Sequence, residues 1–113
     1  MVTAERTRQR RLVAGREIYF DAEGFFWDPA DWSLDAAAAL AGESGLPELG
    51  EIHQSVLRFF REFYAANGRA PMNRQLRDGT GLTLVDLERL FPGGIKFGAR
   101  RLAGLPNPKS CLD

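Results

Sequence analysis

Cys111 is the residue with the clearest potential for chemistry in this chain of 113 residues, and it is the only cysteine. It is third from the end of the sequence, whereas a cysteine kept for packing is usually buried. Lys109, Arg100 and Arg101 would favour the thiolate, and Asp113 and the terminal carboxylate would oppose it. We therefore expect an accessible thiol without predicting a strongly lowered pKa. An incidental free cysteine is the alternative interpretation, because a lone residue is a weak motif.

The remaining composition excludes several kinds of site. A single cysteine cannot form a disulfide framework within the chain, and with His53 as the sole histidine it cannot form a Cys/His zinc site. The sequence contains no carboxylate pair, glycine-rich phosphate loop or nucleophile elbow, which argues against a self-contained enzyme. We expect no metal and no organic cofactor, and we expect His53 to be structural.

The balance of 15 basic and 15 acidic residues hides an uneven distribution of charge. Residues 1–16 carry a net charge of +4, residues 17–92 carry −7, and residues 93–113 carry +3. An acidic body thus lies between two basic ends. The length suits one domain, and the sequence has neither a signal peptide nor a long apolar run. We expect a cytoplasmic protein that does not enter a membrane.

The elements that must position the thiol begin with strands. Residues 1–11 lack apolar periodicity, which predicts a disordered Arg-rich arm, and residues 12–113 are expected to form a single domain. Short apolar stretches between 12 and 27 are separated by Gly15-Arg16 and by residues 21–24, both of which favour hairpin turns. This pattern predicts a small antiparallel meander of three strands, which must pack on helices to be stable.

About five helices follow the predicted strands. Asp28 and Pro29 favour a helix start, Ser33 can cap the next helix, and Thr83 with Asp86 resembles a capping box. Apolar spacing and the Gly and Pro stops place the helices at 34–41, 48–67, 71–77, 84–91 and 95–103. Residues 104–113 contain two prolines spaced by one residue, which prevents helix and predicts a flexible, extended arm that carries the cysteine. The predicted fold class is α+β.

Several segments resemble the DsrC/TusE family, whose usual C-terminal form is FPxGP…IAGLPKPxxC. The chain has FPGG at 91–94, LAGLPNP at 102–108, and then Cys111. Earlier segments fit in the same order, over roughly residues 12–113. They are residues 21–24, which precede a run of aromatic residues, residues 31–33, which open a helix, and residues 61–64 and 70–72.

The resemblance implies three short strands on about five helices, and the function of a persulfide sulfur carrier. Members of the TusE type take sulfur from a TusBCD or DsrEFH type of donor and pass it to MnmA, which thiolates tRNA uridine. Members of the DsrC type serve dissimilatory sulfite reductase and use a second cysteine, at the position of Arg100 here. With a single thiol, this chain is expected to follow the TusE-like pattern in tRNA 2-thiouridine synthesis.

The resemblance also implies roles for residues near the thiol. Gly104 would act as a hinge, and Pro106 and Pro108 as a semi-rigid spacer. Lys96, Arg100 and Arg101 would dock an acidic partner or stabilise the persulfide anion, and Lys109 would support the thiolate. A solvated helix face is the alternative interpretation of this basic group. We expect a monomer.

Two rival functions stay open. Residues 71–91 could form a nucleic-acid-binding, helix-turn-helix-like module, although Asp86 and Glu88 beside Arg89 match phosphate poorly. Direct nucleic-acid binding is therefore not expected. A DsrC-like partner or regulator of dissimilatory sulfite reductase or sulfur oxidation could instead use Cys111 to sense oxidation.

Overall fold

The computed structural model describes residues 8–108, which form a two-stranded sheet and five helices. A single turn of 3-10 helix, Pro29–Asp31, separates the strands from the helices. The strands are β1 (Arg8–Val13) and β2 (Arg16–Asp21). The helices are α1 (Leu34–Glu43), α2 (Glu51–Asn67), α3 (Asn73–Thr80), α4 (Leu84–Leu90) and α5 (Gly94–Arg100), the last a wide, π-type helix. The α+β class is confirmed.

The hairpin is antiparallel, and its register runs from Val13 opposite Arg16 to Arg8 opposite Asp21. Its two turn residues are Ala14 and Gly15, with φ of 52° and 81°. Positive φ at both positions is the geometry of the two-residue turns whose twist matches that of paired strands. The turn therefore lies one residue earlier than the Gly15-Arg16 break in the sequence suggested.

The expected three-strand meander is wrong in its third strand. Only one isolated bridge, between Phe20 and Phe26, continues the sheet beyond β2 in the described chain. The loop before it is tight, since the Asp21 amide donates to the Phe25 carbonyl at 2.9 Å. At Asp28 the chain enters the helical turn, where the Asp28 carboxylate accepts from the Ala30 amide. Too few residues lie between these two turns for a full strand.

The expected boundary of the Arg-rich arm is also wrong, because β1 begins at Arg8. Residues 8–11 pair with β2 along the hairpin. The Arg8 guanidinium lies 4.4 Å from the centre of the Tyr19 ring, and Arg11 forms an ion pair with Glu43 at 2.6 Å. Because these exposed arginines do not alternate with apolar residues, the sequence pattern did not predict a strand at residues 8–11. Residues 1–7 lie outside the described part of the chain.

The predicted capping roles of Ser33 and Thr83 are confirmed, whereas α2 and α3 begin at Glu51 and Asn73, three and two residues after their predicted starts. The Ser33 hydroxyl accepts from the Ala36 amide at 3.0 Å and begins α1. Thr83 and Asp86 form a reciprocal capping box at the start of α4, as predicted. Gly68, with φ of 74°, ends α2 in the left-handed conformation that favours glycine.

One hydrophobic core joins the hairpin to the helices. Its largest fully buried side chains come from the hairpin and the loop after it, from α1 to α4, from the residue after α4, and from the segment after α5. They include Phe20, Phe26, Phe60, Phe91, Leu102 and Leu105. The C-terminal segment thus contributes directly to the core. Among the described residues, none of the helices has both the length and the apolar character needed to cross a membrane.

Candidate functional site

The predicted active group, Cys111, and its neighbour Lys109 lie outside the described residues. The structure does place the segment that leads to them, from α5 to Pro108. Four sets of contacts hold residues 102–108 of this segment. They come from the loop after β2, residues 21–25, which we call the hairpin loop, and from the 3-10 turn, α2 and α5.

Trp32 holds the beginning of the segment. Its indole Nε1 donates to the Leu102 carbonyl at 2.7 Å, across 70 residues of sequence. Gly104 has φ of 81°, and a Cβ at this position would lie 2.5 Å from Trp32 Cδ1. Only glycine fits both the backbone conformation and the space, so Gly104 is a close-packing position in this structure.

Arg61 of α2 forms the second contact. Its guanidinium donates to the Ala103 carbonyl at 2.8 Å and to the Pro29 carbonyl at 3.2 Å. It also lies 4.4 Å from the centre of the Trp32 ring, a cation–π distance. Desolvation by burial lowers the pKa of Arg61, but an arginine remains protonated at physiological pH. The rigid guanidinium therefore joins the 3-10 turn to the C-terminal segment.

Asn107 forms the third contact, and it is almost fully buried at 6% exposure. Its Nδ2 donates to Asp21 Oδ2 at 3.0 Å and also to Glu23 Oε1. Asp21 is itself buried, and its Oδ1 accepts from the amides of Glu23 and Phe25. The end of the described segment is thereby tied to the hairpin loop.

These contacts correct the expectation of a flexible arm over 104–113 for the part that the structure describes. Leu105 is completely buried, and its amide donates to the Arg100 carbonyl at 3.4 Å. Pro106 and Pro108 are half-buried. Residues 104–108 are packed against the body because burial of Leu105 and the hydrogen bonds to Asn107 outweigh the lack of helix or strand pairing.

The predicted basic group is divided among different roles. Arg101 donates from Nη2 to Ser44 Oγ and from Nε to the Phe97 carbonyl, both at 2.7 Å. The pKa of Arg101 is lowered by burial and by Arg11, while Glu43 acts in the opposite direction. Arg100 donates from Nε to the Pro106 carbonyl at 3.3 Å, and Lys96 lies 4.8 Å from the centre of the Phe97 ring. Arg100 thus stabilises the segment itself, whereas Arg101 joins the end of α5 to Ser44, the residue after α1.

His53 has the structural role expected from the sequence. Its Nδ1 accepts from the Gly50 amide at 3.1 Å, and its Nε2 lies 3.0 Å from the Leu90 carbonyl, so Nε2 carries the proton. No cluster of three or more metal-ligating side chains occurs between residues 8 and 108.

The proposed helix-turn-helix region consists of α3 and α4. Asp86, which opposes phosphate binding, accepts from the Thr83 amide in the cap of α4. The exposed side chains of α4 include both Glu88 and Arg89. Charges of both signs on so short a helix do not form a basic surface.

Reasoning from the sequence assigned no site role to Trp32, Arg61, Asn107 or Asp21. One feature of the sequence could have identified these residues as a site: they lie in the separate segments that carry the family resemblance. Segments 21–24, 31–33, 61–64 and 102–108 are far apart in sequence but meet at this one place in the fold. Their convergence identifies the base of the C-terminal segment as the candidate site.

Comparison with known proteins agrees with this geometry. A family model described as "DsrC like protein" matches residues 12–112. The dissimilatory-type sulfite reductase subunit gamma of Nitratidesulfovibrio vulgaris is 34% identical over 98 residues, covering 87% of this chain and 93% of that protein. The sulfurtransferase TusE of Salmonella choleraesuis is 36% identical over 108 residues, covering 89% and 98%.

A solved structure is similar over nearly the same range. The oxidised gamma subunit of dissimilatory sulfite reductase (DsrC) from Archaeoglobus fulgidus superposes with a TM-score of 0.79 at 31% identity, covering 92% of this chain and all of that one. The match of the family model, the identity to both kinds of relative and the shared fold lead to one conclusion: this chain belongs to the DsrC-like family.

Proposed function

We propose that this protein is a persulfide sulfur carrier whose working group is the thiol of Cys111. The observation that carries the proposal is the anchoring of residues 102–108, the segment that leads to the only cysteine in the chain. Relatives named sulfurtransferase TusE support the same function.

The reaction is an exchange of one sulfur–sulfur bond for another. The Cys111 thiolate attacks the outer sulfur of a donor persulfide, R–S–SH, and the donor leaves as the thiolate R–S⁻. The product is Cys111–S–SH. A thiolate of the acceptor then attacks the outer sulfur, becomes the new persulfide and releases Cys111 as a thiolate. Neither step needs an external oxidant or reductant.

Anchoring of the segment would limit where the thiol can travel. Three peptide steps join Pro108 to Cys111, so their Cα atoms can be at most about 11 Å apart. If Gly104 were a free hinge, the moving arm would have seven steps and a correspondingly larger range. The fixed base of the segment favours delivery of the thiol to a partner that docks close to it.

We propose a TusE-like role in tRNA 2-thiouridine synthesis, with a donor of the TusBCD or DsrEFH type and an acceptor of the MnmA type. The supporting feature is the single thiol. Arg100 stands where a second cysteine would allow an intramolecular disulfide, and its Nε donates to the Pro106 carbonyl. Without that second thiol, the sulfur on Cys111 must leave to another molecule.

A DsrC-like role with dissimilatory sulfite reductase is the second candidate. The gamma subunit of Nitratidesulfovibrio vulgaris is about as similar to this chain as TusE is. Sequence identity alone therefore favours neither role. Incubation of the sulfur-loaded protein with each type of acceptor separates the two candidates. The TusE-like role predicts transfer to an MnmA-type enzyme, and the alternative predicts association with sulfite reductase.

Mass spectrometry of the whole protein tests the carrier function directly. After incubation with a persulfide donor, we expect the wild-type mass to increase by one sulfur atom, and the increase to be lost on treatment with a reductant. Cys111→Ser leaves the chain without any thiol and should gain nothing. Equal sulfur gain by this variant, or no gain by the wild type, contradicts the proposal.

A shifted thiol provides the matched control. Ser110→Cys combined with Cys111→Ser keeps one cysteine in the same tail but moves it by one residue. We expect this variant to accept sulfur from a small persulfide as the wild type does, and to pass less of it to a protein acceptor. Transfer at the wild-type rate would contradict a fixed position for the thiol.

A further inference from the structure

We propose that Asn107 is a positioning residue, held by Asp21 and Glu23 of the hairpin loop, which fixes the chain four residues before Cys111 and so limits the range of Cys111. We name these three residues the clasp. The inference rests on the proposed function only in giving the thiol a role. The position of the tail can be measured whether or not sulfur is transferred.

The acceptor side of the clasp is built by the hairpin loop itself. Asp21 Oδ1 accepts from the amides of Glu23 and Phe25, at 2.9 and 3.0 Å. These bonds close the loop after β2 and fix the orientation of the carboxylate. Asp21 Oδ2 is the atom that accepts from Asn107, at 3.0 Å. The loop therefore presents a preoriented oxygen to the incoming segment.

The donor side is buried and specific. Asn107 is 6% exposed and Asp21 is 8% exposed, so water competes little for the bond between them. Hydrogen bonds to a charged partner are stronger than those between neutral groups, and a buried carboxylate that loses its partner is destabilising. Asn107 Nδ2 also donates to Glu23 Oε1. An amide donor facing two carboxylates is favourable, whereas a third carboxylate would be repelled.

The location of the clasp in the sequence lets it limit the range of Cys111. Within residues 8–108 it is the last of the anchors along the segment, after Trp32 at Leu102 and Arg61 at Ala103. Pro108 follows Asn107 directly, and Cys111 is three residues further on. Release of Asn107 would move the last fixed point back toward Leu105, which is held independently by burial in the core. The Cα of Cys111 could then lie up to about 20 Å from the last fixed Cα, instead of up to about 14 Å.

The hydrogen-bond direction of the clasp can be inverted by isosteric changes. In a Glu23→Gln background, Asn107→Asp places two carboxylates, at 21 and 107, against each other and should open the clasp. Adding Asp21→Asn supplies a donor where Oδ2 was, and its carbonyl oxygen can still accept from the loop amides. This reversed variant should close the clasp again, although no side chain has changed in size.

The single cysteine allows a nitroxide label to be attached at Cys111 alone. In the wild-type protein and the Glu23→Gln background, paramagnetic broadening should be concentrated on amides of the hairpin loop, including Glu23 and Gly24. Asn107→Asp in the Glu23→Gln background should lose that broadening and spread it over more distant residues. The reversed variant should recover the original pattern. Unchanged broadening in a folded Asn107→Asp variant, or no recovery on reversal, overturns the proposal.

Two further variants separate positioning from general loosening of the fold. Thr83→Ala removes the cap of α4, far in sequence from the arm, and should lower the midpoint of thermal unfolding without changing the broadening pattern. If it changes the pattern as Asn107→Asp does, the proposal is wrong. If Asn107→Asp does not fold, Asn107→Ala removes the donor without adding charge and must give the same loss of broadening.

Sulfur loading distinguishes failure of this inference from failure of the carrier function. Inorganic polysulfide should load wild type and clasp variants equally, because the thiol is chemically the same in all of them. If the wild type gains no sulfur but the paramagnetic broadening changes as expected, the carrier function is contradicted and the positioning role of Asn107 is supported. If loading succeeds and the pattern does not respond, the clasp alone is contradicted.

Discussion

The indole of Trp32 occupies the space that any side chain at position 104 would need. An ideal Cβ on Gly104 would lie 2.5 Å from Trp32 Cδ1 and 2.8 Å from Trp32 Cβ and Cγ. The same indole donates through Nε1 to the Leu102 carbonyl. One aromatic residue near the start of α1 thus fixes both the path and the composition of the segment before Cys111.

Gly104→Ala should lower the free energy of unfolding by about 2–5 kcal/mol, because the residue has both a left-handed conformation and a clash with Trp32. Denaturant unfolding measures the change. Gly45→Ala is the matched control, with φ of 95° and nothing within 4 Å of the new Cβ. It should lose only about 1–2 kcal/mol. Equal losses in the two variants would show that contact with Trp32 contributes nothing.

Arg61→Met should destabilise the protein by about 1.5–3 kcal/mol, since it leaves the Ala103 and Pro29 carbonyls without the guanidinium donor. Hydrogen exchange should also become faster at the Leu105 amide, which belongs to the segment that Arg61 holds. Arg58→Met, on the exposed side of the same helix, should change stability by no more than about 0.5 kcal/mol. An unchanged exchange rate at Leu105 in Arg61→Met would argue against anchoring by Arg61.

Two helical glycines should respond to alanine in opposite directions. Gly42→Ala in α1 meets nothing within 4 Å and should stabilise by about 0.5–1 kcal/mol through helix propensity. Gly79→Ala in α3 would place its Cβ 2.2 Å from Phe59 Cε1 and should destabilise by about 1–2 kcal/mol. Thermal unfolding compares the two. The Gly79→Ala loss should shrink in a Phe59→Leu background, and a constant loss would exclude Phe59 as its cause.

Ala14→Asn should stabilise the hairpin by about 1 kcal/mol. Ala14 has φ of 52°, a left-handed conformation that costs alanine more than it costs asparagine. Chemical denaturation of the intact protein provides the measurement. Ala22→Asn, at an exposed loop position without positive φ, should stay within about 0.5 kcal/mol of the wild type. A similar gain at both positions would mean that turn conformation is not the source.

Local sequence signals predicted the helical part of this fold well. Ser33, Thr83 and Gly68 each act on backbone groups within a few residues, so their capping roles depend little on the rest of the chain. The prediction of a third strand was wrong because too few residues lie between the tight loop at Asp21 and the helical turn at Asp28. The strand at Arg8 was missed because its exposed arginines stack and pair instead of alternating with apolar residues.

The sequence by itself determined the single thiol, its place near the chain end and the absence of a second cysteine at Arg100. These are facts of composition and order, and they define what chemistry is available. Only the tertiary structure decided that residues 104–108 are anchored. The contacts of Trp32, Arg61 and Asp21 with this segment span 42 to 86 residues, and no local pattern encodes which distant side chains meet. Burial and hydrogen bonding across those distances overrode the proline-rich sequence, which locally favoured an extended, unpacked arm.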